Sequence, residues 1–175
     1  MKEFRSFWEA AAHVVRQSVA LDAAIESSLE DIGRHVESKI KGKFGKYQPA
    51  AGNYPEWKEL NADWTQPERE RLGYPRNEPL LREGGLRSSI SYKVDEGATE
   101  DSVTIGSVSQ IVFFHEVGYW NHLTGKFVEP RATHGPALIE ETPVIKSKLA
   151  GAVATGMVVG RTSWGAMRIH STGVL

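Results

Sequence analysis

The sequence predicts an α+β fold: a long N-terminal helix, a small antiparallel β-sheet built on a hairpin, a C-terminal helix packed on it, and an extended C-terminal arm. Three observations predict it. Apolar positions step by threes and fours from Ala11 to Ile40. The period changes to two from Ile90 onward. Thr142-Pro143 then supplies helix-start chemistry, a hydroxyl for the cap and a proline for the first turn. The layout reads as a single domain over 1–160, with the long helix at 1–42, loop and short helices at 43–89, sheet and loop at 90–134, and a helix at 135–160. Residues 161–175 form the arm.

In the first element Ala11, Val15, Ser18 or Val19, Asp22, Ile25, Leu29, Ile32, Val36 and Ile40 make one stripe, interrupted only near Asp22. Glu26, Glu30, Arg34, Glu37 and Lys41 take the other face. Gly42 and Gly45 stop the pattern, and Lys39, Lys41, Lys43 and Lys46 lie where cations suit the C-terminal pole of the helix dipole. A helix from Phe7 to Lys41 would be roughly 50 Å long at 1.5 Å per residue. A compact domain of this size has a radius of gyration of only about 16 Å. Either Gly33 or the Ser18–Asp22 region breaks the helix, or it protrudes and packs on something outside the fold.

A loop rich in Pro, Gly and aromatics follows, with Phe44, Tyr47, Tyr54 and Trp57, and then short helical pieces around Glu56–Asp63 and Gln66–Leu72. A helix over the first would put Trp57 and Trp64 on one face, where core packing is the favoured reading. Leu80 and Leu81 lead into Gly84-Gly85, a turn or helix stop. Ile90, Tyr92 and Val94 alternate with Ser91 and Lys93, and Val103 and Ile105 with Thr104 and Gly106, which reads as a hairpin. The run Ile111-Val112-Phe113-Phe114 fits a buried strand or a short helix equally. A long loop with a short strand at Lys126–Val128 precedes the last helix, expected from Pro143 to Val159 with Thr142 as its cap. The segment Pro136–Glu141 would join it through a turn or kink. Trp164, Met167 and Ile169 give the arm an apolar character suited to docking on a neighbour.

Composition narrows the function. The 175 residues carry 21 basic and 22 acidic side chains, a formal charge of -1, which argues against a free-standing duplex-DNA binder. The absence of cysteine excludes a disulfide framework, a thiolate zinc site and a cysteine nucleophile, and fits folding in a cytoplasm. No signal peptide is visible in MKEFRSFWEA, and the weakly polar stretch Leu149–Gly160 is shorter than the roughly 20 residues a membrane span needs. The charges are unevenly placed. Residues 54–101 hold seven basic against eleven acidic groups, whereas Lys146, Lys148, Arg161 and Arg168 follow Glu141 with no acid among them. Such polarity suits head-to-tail contact between like subunits.

Catalytic signatures are weak. His115, Glu116, His122, Glu129 and His134 cluster within twenty residues, but a helical zinc-protease motif would need histidine where Tyr119 stands. Glu116 reads better as a hydrogen-bonding anchor for the loop after it. Gly84, Gly85 and Gly97 form no phosphate loop, and Gly125-Lys126 lacks the following hydroxyl. Ser88-Ser89 has no spaced general base. No cofactor, metal or catalytic residue is assigned.

The order of motifs is more informative. Trp57-Lys58-Glu59-Leu60 is followed by Leu80-Leu81-Arg82-Glu83-Gly84-Gly85-Leu86-Arg87-Ser88-Ser89-Ile90, then Phe113-Phe114-His115-Glu116-Val117-Gly118, then Val128-Glu129-Pro130-Arg131. Over roughly residues 5 to 155 this resembles the virion morphogenesis family of tailed bacteriophages, the tail-completion or neck proteins. Glu83 stands where that family usually has a small hydroxyl residue. Ala132-Thr133-His134 replaces the aromatic residue and leucine that commonly follow Pro-Arg.

The resemblance implies a structural virion protein, not an enzyme, that completes the tail end and joins it to the head-side connector as part of a homo-oligomeric ring, a hexamer. It would be assembled in the bacterial host cytoplasm, and its partners would be connector, tail terminator or tail tube proteins, with no membrane. Subunit contacts are expected at Trp8, Val15, Trp57, Lys146, Lys148, Trp164, Met167 and Ile169. Contacts to a neighbouring ring are expected at Tyr47, Tyr54, His115, Glu116, Tyr119, Trp120 and Arg131. Lys39, Lys41, Lys43 and Lys46 would face DNA in the lumen. The alternatives are a small metal-dependent hydrolase using His115, His122 and His134, or a monomeric cytoplasmic adaptor.

Overall fold

Helix α1 runs unbroken from Phe7 to Lys43, 37 residues, so it is roughly 55 Å long. The computed structural model describes residues 6–95, 97, 101–122 and 124–162, and side chains up to 158 at its C-terminal end. Ser6 caps α1, its Oγ accepting from the Glu9 amide at 3.1 Å, which satisfies one of the donors a helix start leaves open. Neither expected breakpoint breaks it. Gly33 is a site of close approach: a Cβ there would run into the Tyr92 ring, whose hydroxyl donates to Glu30 Oε2 at 2.8 Å.

The other elements follow in chain order: α2 (Thr65–Arg71), α3 (Gly85–Ser88), β1 (Ile90–Asp95), β2 (Ser102–Ser107), α4 (Gln110–Val117), β3 (Tyr119–Asn121), β4 (Lys126–Val128) and α5 (His134–Thr162). The α+β class and the order of long helix, antiparallel hairpin and C-terminal helix are as the sequence predicts. β1 pairs with β2 from Ile90 opposite Ser107 to Asp95 opposite Ser102, and β3 and β4 form a second hairpin with Tyr119 opposite Val128. No helical turn forms over 56–63. Asn61 Oδ1 instead accepts from the amides of Asp63 and Trp64, an Asx-type turn that competes with helix. Trp57 and Trp64 therefore share no helical face: Trp57 is 5% exposed and Trp64 77%.

The core lies where the C-terminal half of α1 crosses the first hairpin and the N-terminal half of α5. Ile32, Val36, Ile40, Phe44, Ile90 and Ala137 are buried together, ringed by Leu80, Leu86, Val103, Ile105, Ile145 and Leu149. Each large aliphatic group there contributes about 1.5–3 kcal/mol by leaving water. Arg69 of α2 holds the following loop in place from within, donating to the carbonyls of Pro75, Glu78 and Leu81. The apolar stripe of α1 has two fates. Leu29, Ile32, Val36 and Ile40 enter the core, while Val15 and Val19 are 60% and 63% exposed. In the first half of the helix the inward face instead runs through the buried His13 and the half-buried Ala20 and Ala24.

α5 runs antiparallel along α1. Lys43 pairs with Glu140, His35 and Lys39 pair with Glu141, and Lys148 lies 4.0 Å from Asp31. Farther along, a Cβ at Gly156 would stand 2.6 Å from Leu21 Cα. Alanine normally favours a helix over glycine by about 1 kcal/mol. Here the backbone of α1 occupies the space, so Gly156→Ala is expected to destabilise by about 1–3 kcal/mol through overpacking. A urea midpoint at or above that of the unsubstituted protein would show that the helices separate without strain.

The start of α5 differs from the expectation. The helix begins at His134, and Pro143 lies inside it. Thr142 is no cap: its Oγ1 donates to the Leu138 carbonyl at 2.7 Å, within the helix. The groups that do cap the first turn come from elsewhere in the chain.

Candidate functional site

Those groups belong to α4. Glu116, near its C-terminal end, places a carboxylate at the start of α5. Oε1 accepts from the Thr133 amide (2.6 Å), the His134 amide (2.8 Å), the Thr133 hydroxyl (2.9 Å) and His134 Nδ1 (3.0 Å), and Oε2 lies 3.5 Å from the Gly135 amide. Helix-start amides favour an anion both by hydrogen bonding and through the helix dipole. Burial by itself would raise the carboxyl pKa. It is outweighed by the His134 ring, the amides of His134 and Thr133, and the Thr133 hydroxyl, which bring it down to about 2. Glu116 is therefore a fixed anion at neutral pH and anchors the loop that follows, as its position in the sequence suggests.

Two of the three histidines are held within the fold. His134 directs Nδ1 at Glu116, which leaves Nε2 as its second nitrogen, and that atom is buried without a hydrogen-bond partner. Water and substrate cannot touch it. Burial, followed by the charge of Arg131, pushes the His115 pKa down, and its ring meets Tyr119 edge-on at 6.4 Å. His122 stands exposed in the turn of the second hairpin. Among the described residues no three His, Asp or Glu side chains converge in a way that could hold a metal. An open cavity of about 380 Å³ lies between the end of β2, α4 and the start of α5, lined by Ser107, Ser109, Gln110, Phe113, Glu116 and His134. It reaches a carboxylate and an imidazole already committed to each other.

The loop residues act as clamps. The Tyr47 hydroxyl bonds Asn77 and the Leu60 amide. The Tyr54 ring covers Gly135 so closely that a Cβ there would strike it. Arg131 receives support from both sides, its amide donating to the His115 carbonyl at 2.7 Å and its Nη2 to the Lys58 carbonyl at 3.0 Å. Trp57, expected at a subunit contact, is instead buried, with Nε1 donating to the Ala132 carbonyl at 3.2 Å. Its indole fills the gap under the 129–134 loop, so no face of it remains for a partner.

The basic positions need two corrections. Lys43 is 6% exposed and bound to Glu140 at 2.7 Å, so it cannot face a lumen. Lys39 and Lys41 are paired with Glu141 and Glu37, and Lys46 stands exposed. The acid-free stretch after Glu141 makes no separate basic face either. Lys146 is exposed, but Lys148 faces Asp31, and Asp22 and Glu26 of α1 are exposed along the helix that α5 follows. The expected arm contacts Trp164, Met167 and Ile169 lie outside the described residues.

The most prominent surface feature is apolar, and beyond Trp8, Val15, Tyr119 and Trp120 its residues were not singled out from the sequence. The run at 111–114 forms a helix, yet only Val112 of α4 is buried. Ile111 (55%), Phe113 (63%), Phe114 (44%) and Val117 (52%) are exposed, beside Val108 (94%), Trp120 (56%) and Phe127 (50%). They fall into two groups. Phe114 meets Phe113 and Tyr119 at 6.1 and 5.9 Å, while Trp120, on the opposite face of the short hairpin, lies opposite Phe127, whose ring packs over Gly118. A second patch sits on the first half of α1, where Phe7 (78%), Trp8 (79%), Val14 (63%), Val15 and Val19 are exposed. At 100° per residue these five share a sector about 140° wide, turned away from α5.

No helix among the described residues is long and apolar enough to cross a membrane. The chain matches no family model, no curated protein and no solved structure.

Proposed function

We propose that the chain is a structural component of a tailed-phage or prophage virion, completing the tail end and joining it to the head-side connector as part of a ring in the neck. The observation that carries the assembly role is the character of the surface. Among the described residues more large apolar side chains are exposed than buried. Grouped apolar exposure of this kind marks surfaces that other proteins cover. The commitment of Glu116 to Thr133, His134 and the start of α5 supports the same reading.

The neck in particular is supported by the ordered motifs, whose residues serve the fold that such a ring would reuse. Trp57 and Leu60 are buried, the 80–90 segment leads into β1, and Glu116 joins α4 to α5. Disrupting the gene in a phage or inducible prophage that encodes the chain is expected to yield filled heads and separate, unjoined tails, with joining restored by the protein supplied in trans. Joined, infectious particles without the protein would overturn the proposal.

A further inference from the structure

We infer that residues 163–175 of the arm cover the apolar face on the first half of α1 in their own chain, with Trp164, Met167 and Ile169 as the groups that meet it. The inference goes beyond the virion reading and does not rest on it.

The face continues one that the fold already uses. At 100° per residue Phe7, Val14 and Val15 share a sector of α1 with Ile32, Val36 and Ile40, and the later three are buried with Ile90 of the first hairpin. The hairpin meets the later half of the helix, with Tyr92 against Gly33. On α5 the row Leu149, Val153, Met157 repeats the pattern at four-residue spacing. Leu149 packs on the core, whereas Val153 and Met157 are exposed. Both helices therefore carry apolar side chains past the edge of the core, towards the same end of the antiparallel pair.

The end of α5 places the arm beside this face. Gly156 lies on Leu21, and α5 continues for six residues more, to Thr162. Six residues before Leu21 on the antiparallel helix is Val15, so the arm leaves α5 level with the face. From Phe7 to Val19 the face is roughly 18 Å long at 1.5 Å per residue. Thirteen residues follow Thr162, and in extended form they reach up to about 43 Å at 3.3 Å per residue. Trp164 stands two residues past Thr162, and Met167 and Ile169 come within the next five.

Charge and connectivity select the same occupant. The segment carries Arg168 and no acid, while Asp22 and Glu26 are exposed just beyond Val19. A short tether holds it at an effective concentration of about millimolar, which a second copy at micromolar concentration does not match. Trp8 and Val15 then meet the arm within one chain instead of a neighbouring subunit, and the exposed phenylalanines of α4 are left open.

The chain has no cysteine, so a single introduced thiol reports whether the face is covered. Val15→Cys is compared with Ser27→Cys, exposed on another side of α1, by the rate of reaction with a maleimide. Each is measured in the full chain with and without Trp164→Ser and Ile169→Ser. The thiol on the face is expected to react about tenfold more slowly than the control, as a contact open about a tenth of the time allows. With the arm substituted it is expected to reach the control rate. It is expected to stay reactive when that arm-substituted protein is unfolded and refolded together with an excess of the unsubstituted chain. A face thiol as reactive as the control in the unaltered arm would overturn the inference. Protection that survives the arm substitutions would overturn it in favour of a second copy seated on the face. Protection restored by the unsubstituted chain would overturn it in favour of an arm exchanged between copies. Val15 is exposed, so unchanged far-ultraviolet circular dichroism is expected; if the variant misfolds, Val19→Cys replaces it with the same outcomes.

Discussion

Replacing Glu116 by glutamine is expected to lower the unfolding free energy by about 2–3 kcal/mol at pH 7, with the loss shrinking as the solution is acidified. The carboxyl pKa falls from an ordinary 4.5 to about 2 in the folded protein. A shift of that size corresponds to roughly 3 kcal/mol, and glutamine keeps one acceptor oxygen for the α5 amides. The sign follows from the depressed value. The folded state binds its proton less readily than the unfolded state, so the stabilisation is complete above about pH 4.5 and is lost as pH falls through about 2. Less than half should remain at pH 3. Urea unfolding of both proteins at pH 7, 4 and 3 measures the gap. An equal gap at pH 7 and pH 3 would show that Glu116 contributes by shape and not as an anion.

This residue also marks the limit of what the sequence could disclose. The first hairpin was legible because alternation from Ile90 to Val94 and from Val103 to Ile105 is a local record of which side faces the core. The later half of α1 was legible for the same reason at a different period. The start of α5 was not, because its cap lies 17 to 19 residues upstream on another element. Thr142-Pro143 offered a local start signal that the distant carboxylate overrode. The first half of α1 failed differently. Its apolar stripe continues in register past Asp22, but the hairpin meets the later half of the helix, with Tyr92 against Gly33 and Glu30, so the same pattern changes meaning from core to surface. The run at 111–114 shows the converse: apolar content alone suggested burial, whereas a single helix of eight residues can bury only one side against so small a body.

Trp57 carries the largest expected loss and separates a scaffold role from a contact role. Trp57→Ala removes a buried indole, which costs about 3–5 kcal/mol in a core site. Trp57→Phe keeps most of the ring but leaves the Ala132 carbonyl without the indole N–H, a cost of about 1–3 kcal/mol for an unpaired buried acceptor. The loop above it holds Arg131, which is bonded to the carbonyls of Lys58 and His115, and His115 lies in α4 beside the exposed phenylalanines. The alanine variant is therefore expected to lose self-association together with stability, as the exposed phenylalanines of α4 lose their support. The phenylalanine variant should unfold at lower urea yet associate like the unsubstituted protein wherever it remains folded. Light scattering below its urea transition distinguishes the two roles. Weakened association in a fully folded Trp57→Phe protein would mean that the indole itself reaches a partner, which its 5% exposure argues against.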